Sequence, residues 1–169
     1  DWKILSQALG YTNPSHQDFF HKLLKELNLE KIVKFKNVTL TNESFFNPGK
    51  PIDMIFCDAH DSSAQGCVSL LKYYLPLMSE YSSIFIDRSS TINHAHLMLE
   101  QLIGYLQQGK IPACLRSKNL KSISHLKFTL VHLAETKEAK KNRQQNSTAW
   151  IKIEPADVII HNQVENYFK

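Results

Sequence analysis

The sequence predicts an α/β fold: a mostly parallel sheet with helices on both faces, closed by an antiparallel hairpin at the C-terminal end. Three observations carry this expectation. Residues 51–90 read as buried strand, acidic tip, amphipathic helix, second strand and second acidic tip. Helical stripes flank that unit at 16–27 and 93–108. Two alternating runs, 126–133 and 149–153, bracket a polar loop, as the arms of a long-looped hairpin do.

In chain order, residues 1–13 read as the tail of a strand followed by a loop, with Asn13-Pro14-Ser15 as a helix-start signal. Phe19, Phe20, Leu23, Leu24 and Leu27 then share one helical face, and Asn28 suits its terminus. The run 31–40, with Ile32, Val33, Phe35, Val38 and Leu40, is rich in β-formers and is expected to be a strand. Asn47-Pro48-Gly49-Lys50-Pro51 is a turn.

The central unit follows. Ile52, Met54, Ile55, Phe56 and Cys57 form an almost unbroken apolar run, which predicts a strand covered on both faces. Asp58 ends it. Over 63–78, Val68, Leu71, Leu75 and Met78 recur at three- and four-residue steps, a helix with one apolar stripe. Ile84, Phe85 and Ile86 give the second strand, ended by Asp87. A right-handed crossover makes the two strands parallel. As neighbours they lie roughly 5 Å apart, so both carboxylates meet at the carboxyl-terminal edge. Open α/β sheets bind ligands there. Beyond it, residues 93–108 read as another helix, with Leu97, Leu99, Leu102, Ile103 and Leu106 apolar, which stops at Gly109-Lys110-Ile111-Pro112. The last stretch, 157–169, reads as a short strand or docking tail.

With 169 residues and 43% hydrophobic content, the chain supports one domain, 1–169, with a real core. Its net charge of +4, from 20 basic against 16 acidic residues, is too mild to point to nucleic acid. Cys57, Cys67 and Cys114 form no redox or zinc motif. Cys57 and Cys67 are expected to be reduced core residues, which suits a cytoplasmic setting. No run is long enough to cross a membrane and no signal peptide is visible. The chain opens on Asp1 and holds only 5 glycines, so it is poor in phosphate-cradling loops. Lys137, Lys140, Lys141 and Arg143 fall in the hairpin loop without interleaved aromatics, which favours a solvated loop over a nucleic-acid contact.

The words at the strand tips are Asp53-Met54-Ile55-Phe56-Cys57-Asp58-Ala59-His60, then Leu75-Pro76-Leu77-Met78, then Ile84-Phe85-Ile86-Asp87-Arg88. In this order they resemble the second half of a class I S-adenosylmethionine-dependent methyltransferase, closest to small-molecule O-methyltransferases of the catechol and macrocin type. The likeness covers residues 16–155 in topology and is motif-specific over 51–90. It implies a Rossmann-like sheet whose final antiparallel strand is inserted beside the last parallel one. It also implies S-adenosylmethionine as cofactor and a small-molecule hydroxyl as acceptor. Where the family has a glycine-rich loop after its first strand, this chain has none. If Asp1 corresponds to the acid that holds the ribose, that part lies upstream and the domain is truncated at its N-terminus. The family's Gly-Gly before the last motif strand is here Glu80-Tyr81-Ser82-Ser83, and the second tip is Asp87-Arg88 rather than Asp-Asn or Asp-Asp.

The resemblance assigns Asp1, Thr39 (the adenine contact) and Asp58 to the cofactor, and Asp58 with Asp87 to a divalent cation such as Mg2+ that lowers the acceptor pKa. Both acids are equally suited to capping the turns that follow them. Arg88 can replace a cation by pairing with them. His60, at the same edge, is the candidate general base beside Asp58, against the plainer alternative of a loop histidine. Asp61 with Ser62 or Ser63 reads as an N-cap as readily as a ligand contact. His94 and His96 follow the second tip but, two apart on a helix, face different directions. The competing functions are a methyltransferase-fold domain without catalysis, serving in binding or assembly, and a sugar-nucleotide enzyme using Asp58 and Asp61. Partners expected are a small-molecule substrate and no membrane, with self-association into a homo-oligomer left open.

Overall fold

The computed structural model describes residues 2–11, 15–35, 47–58, 64–87, 89, 93–120, 123, 125–133 and 148–156. The chain forms two compact units, Asp1–Ser44 and Phe45–Lys169. In the first, α1 (Trp2–Ala8) stands where a strand tail and loop were expected. Its seven residues are too few to show a helical stripe in sequence. Ser6 Oγ turns back to donate to Lys3 O at 2.8 Å. The expected helix is present as α2 (His16–Glu26). Ser15 caps it, its hydroxyl accepting from the Asp18 N–H at 3.1 Å, with the acidic Asp18 in the first turn. Phe19 and Leu24 are its buried residues, and the Phe19 ring meets Tyr11 edge-on at 5.6 Å.

Residues 31–35 are not the start of a strand. Asn28 takes the left-handed conformation (φ 56°) after the helix, and the N–H groups of Ile32 and Val33 both donate to Leu29 O, closing a turn. Local turn bonding wins here over β-forming composition, and Ile32 is left 77% exposed. The rest of that expected strand, 36–40, lies outside the described residues, as do the hairpin loop and 157–169.

The second unit holds a four-stranded sheet of β1 (Ile52–Cys57), β2 (Met78–Ile86), β3 (Leu126–Leu133) and β4 (Thr148–Pro155), in the order β1-β2-β4-β3. β1 and β2 are parallel, as the crossover predicts. The β3–β4 hairpin is antiparallel, also as predicted. The sheet is nevertheless not mostly parallel: β4 is wedged between β2 and β3 and runs against both, so two of its three ladders are antiparallel. Taken by direction, β1, β2 and β3 point one way and β4 alone is reversed.

Between β1 and β2, α3 (Ala64–Tyr74) is shorter than the stripe over 63–78 implied. Pro76 cannot continue an α-helix, so the chain tightens into a 3₁₀ turn at Leu75–Leu77. β2 then begins at Met78, earlier than the apolar triplet Ile84–Ile86 suggested. Its polar first half pairs through a shift in register near Ile52 and Met54. After β2, α4 (Asn93–Gln107) ends at Gly109, whose φ of 71° suits the helix terminus.

One sheet face carries the core. Ile84 and Ile86 of β2, Ala149, Ile151 and Ile153 of β4, and Phe128 of β3 alternate onto it and are buried. Leu70 and Leu71 of α3 and Leu99, Leu102, Ile103 and Leu106 of α4 close over them. Among the described residues of this unit, both α-helices thus join a single core on one face of the sheet, where helices on both faces were expected. The other face carries Met54 and Phe56, 65% and 63% exposed. The apolar run of β1 is therefore not covered on both sides. Cys67 is buried, Cys57 half-buried and Cys114 exposed. No described helix is long and apolar enough to cross a membrane.

Candidate functional site

Two clusters of chemistry-bearing side chains stand at the end of the sheet where β1 and β2 finish. The first is the acidic pair. Register pairs Cys57 with Ile86, so Asp58 and Asp87 are the next residues on adjacent parallel strands. The Asp87 N–H donates to Cys57 O at 2.9 Å, extending the ladder one step beyond the strands. The two acids therefore share one rim. Asp58 is exposed and Asp87 half-buried. Asp87 Oδ1 accepts from Thr148 Oγ1 at 3.0 Å, at the start of β4.

The two-residue period of a strand puts both acids on the face of Phe56 and Phe85, away from the buried core. On that face Phe85 and Trp150 lie nearly parallel, 8° between planes and 5.9 Å between centroids. Trp150 Nε1 donates to Ser83 Oγ at 3.1 Å, which fixes the indole. Phe56, which is exposed, Phe85 and Trp150 thus share one cross-strand row on this face, two residues along their strands from Asp58, Asp87 and Thr148.

The remaining expected site residues, Asp1, Thr39 and His60, lie outside the described residues, together with Asp61, Ser62, Ser63 and Arg88. Geometry therefore brings together Asp58 and Asp87 from the predicted set. Gly10, Gly49 and Gly109 serve turns at positive φ, and a side chain added at any of them would meet open space.

The second cluster lies on the helix-covered face. His96 and Glu100 are one turn apart on α4, with His96 Nε2 at 3.3 Å from Glu100 Oε1. His132 of β3 joins them, its Nε2 3.7 Å from the same oxygen and its ring 4.0 Å from that of His96. α4 is held along β3 at its other end by Gln107 Nε2, which donates to Phe128 O at 3.1 Å. His96 Nδ1 and both nitrogens of His132 are buried without a hydrogen-bond partner. Burial lowers the His132 pKa from its ordinary 6.5 and neighbouring His96 adds to this, while Glu100 opposes it.

Glu100 and His132 did not stand out in the sequence. The only local signal is His96-x-x-x-Glu100 at helical spacing. The chain matches no protein-family model, no curated protein and no solved structure.

Proposed function

We propose that this chain is a methyltransferase-type α/β domain, acting from the carboxyl edge of β1 and β2 on the hydroxyl of a small molecule with S-adenosylmethionine as methyl donor. The observation that carries the reading is the strand order. A parallel pair bears an acid at each tip, and a lone reversed strand is inserted beside it, between β2 and β3. That is the arrangement the strand-tip motifs imply.

The residues at this rim suit the acceptor end of such a reaction. Asp58 and Asp87 offer hard carboxylate oxygens to a divalent cation or to the acceptor hydroxyl, and a cation held there lowers the hydroxyl pKa. Phe56, Phe85 and Trp150 offer apolar side chains beside the carboxylates, against which an aromatic acceptor packs. Most of the acceleration expected of such a site comes from holding the acceptor oxygen in line. Gly10, Gly49, Gly104 and Gly109 have nothing within 4 Å of where a side chain would stand, so none of these four forms a glycine cradle for the amino-acid end of the cofactor. Together with the hydrogen bond that already engages Asp87, this favours a second reading, a domain of the same fold that binds or assembles without catalysis.

Calorimetric titration of the full chain with S-adenosylmethionine, with and without Mg2+, separates the two. The enzyme reading expects micromolar binding, and it expects Asp58→Asn to abolish any Mg2+ effect. Absence of binding in that range removes the enzyme and leaves the binding domain. A Mg2+ response that survives Asp58→Asn places the cation elsewhere.

A further inference from the structure

We propose that His96, Glu100 and His132 form a site for a first-row divalent cation of the zinc type, joining α4 to β3. One candidate ligand atom from each residue lies within 4.8 Å of the others. Around a tetrahedral metal with bonds of about 2.0–2.1 Å, neighbouring ligand atoms stand about 3.4 Å apart. The His96–Glu100 separation of 3.3 Å already matches, and the 3.7 Å from His132 to Glu100 closes with a small rotation of an exposed carboxylate.

A second, independent observation comes from hydrogen bonding. Buried side-chain nitrogens in folded proteins nearly always have partners. Here three ring nitrogens of one histidine pair lack them. One of the three, His132 Nε2, faces Glu100 Oε1, where a cation takes it together with His96 Nε2 and the carboxylate oxygen. A proton shared with Glu100 would engage only one ring at a time.

The donor set selects the metal. Two imidazoles and one carboxylate suit Zn2+ and its first-row neighbours, whereas Mg2+ and Ca2+ take oxygen ligands almost throughout. Three protein ligands leave a fourth position, and Glu100, with its side chain 51% exposed, marks the solvent side on which water completes the shell. His132 sits in the cross-strand row Cys57, Ile86, Ala149, His132, one step before the acids. The alternation of the strands puts it on the opposite face of the sheet from them. The site is thus separate from the acidic rim and does not depend on the methyl-transfer reading.

The test is Zn2+ titration of the chelator-stripped full chain against a colorimetric zinc indicator, repeated with His96→Ala, His132→Ala and Glu100→Gln. The parent is expected to bind one Zn2+ per chain with a Kd of about 1 µM or tighter. Each variant is expected to weaken binding by no less than the roughly 10- to 100-fold that loss of an outer-shell partner costs. Glu100→Gln, at a half-exposed position, keeps the experiment readable if a histidine variant fails to fold. His21→Ala, at an exposed position on α2, is expected to leave binding unchanged. Co2+ is expected to give the strong visible absorption of a tetrahedral site in the parent and not in the variants, and Mg2+ is expected not to displace Zn2+. Binding weaker than that limit, or equal binding by the parent and Glu100→Gln, overturns the proposal.

Discussion

Replacing His132 by leucine sets the cost of an unsatisfied imidazole against its value as a ligand. In the metal-free protein, both nitrogens of His132 are buried and unpartnered. Leucine is close to histidine in volume and carries no polar atom. Leaving a buried polar group unsatisfied costs about 1–3 kcal/mol. A near-isosteric core exchange costs less than about 1.5 kcal/mol. The ion-pair contact with Glu100 is long and half-exposed, so its loss is minor. His132→Leu in chelator is therefore expected to be more stable than the parent by about 1 kcal/mol or more. For a chain of this length, that raises Tm by roughly 2–4 °C. Zn2+ reverses the order, because a ligand at 100 times its Kd adds about 2.7 kcal/mol to the state that binds it, and only the parent has the full site. Paired thermal melts by circular dichroism, in chelator and in Zn2+, read both effects. A variant less stable than the parent in chelator would mean that the nitrogens are satisfied. A difference unaffected by Zn2+ would remove the metal.

Ile151→Ala, at a fully buried position in β4 between β2 and β3, is expected to cost about 2–5 kcal/mol in urea unfolding, and a loss under 1 kcal/mol would place the core elsewhere. Thr148→Val removes the donor to Asp87 Oδ1 and is expected to cost about 0.5–1.5 kcal/mol. Thr148→Ser, which keeps the hydroxyl, should retain most of that, and equal losses in the two would dismiss the hydrogen bond. Ser15→Ala takes away the α2 cap and is expected to cost about 1 kcal/mol, visible as faster amide exchange in the first turn of that helix.

The parts of the fold legible in sequence are those where a single period dominates. The stripe from Phe19 to Leu27 marks α2, the alternation around Phe128 and Ile151 marks the hairpin, and the acids closing two apolar runs mark the rim. Where short-range bonding outweighs composition, sequence misleads: Asn28 and Leu29 close a turn across Ile32 and Val33, despite their β preference. An apolar run such as Ile52–Cys57 announces a strand but not how many of its faces are covered, because coverage is decided by helices distant in the chain. The same holds for β4, whose own residues do not say that it separates β2 from β3. Half of the site was legible for the converse reason. Asp58 and Asp87 belong to one crossover unit, whereas His96 and His132 meet only after α4 has folded onto β3.

Cross-strand contacts in solution test the central placement most directly. Nuclear Overhauser spectroscopy of the labelled chain is expected to connect the backbone protons of Cys57 with those of Ile86 and Asp87, with slowed exchange of the Asp87 amide bound to Cys57 O. Free exchange of that amide, with no contact between the two strand ends, would put Asp58 and Asp87 on separate rims and contradict the account.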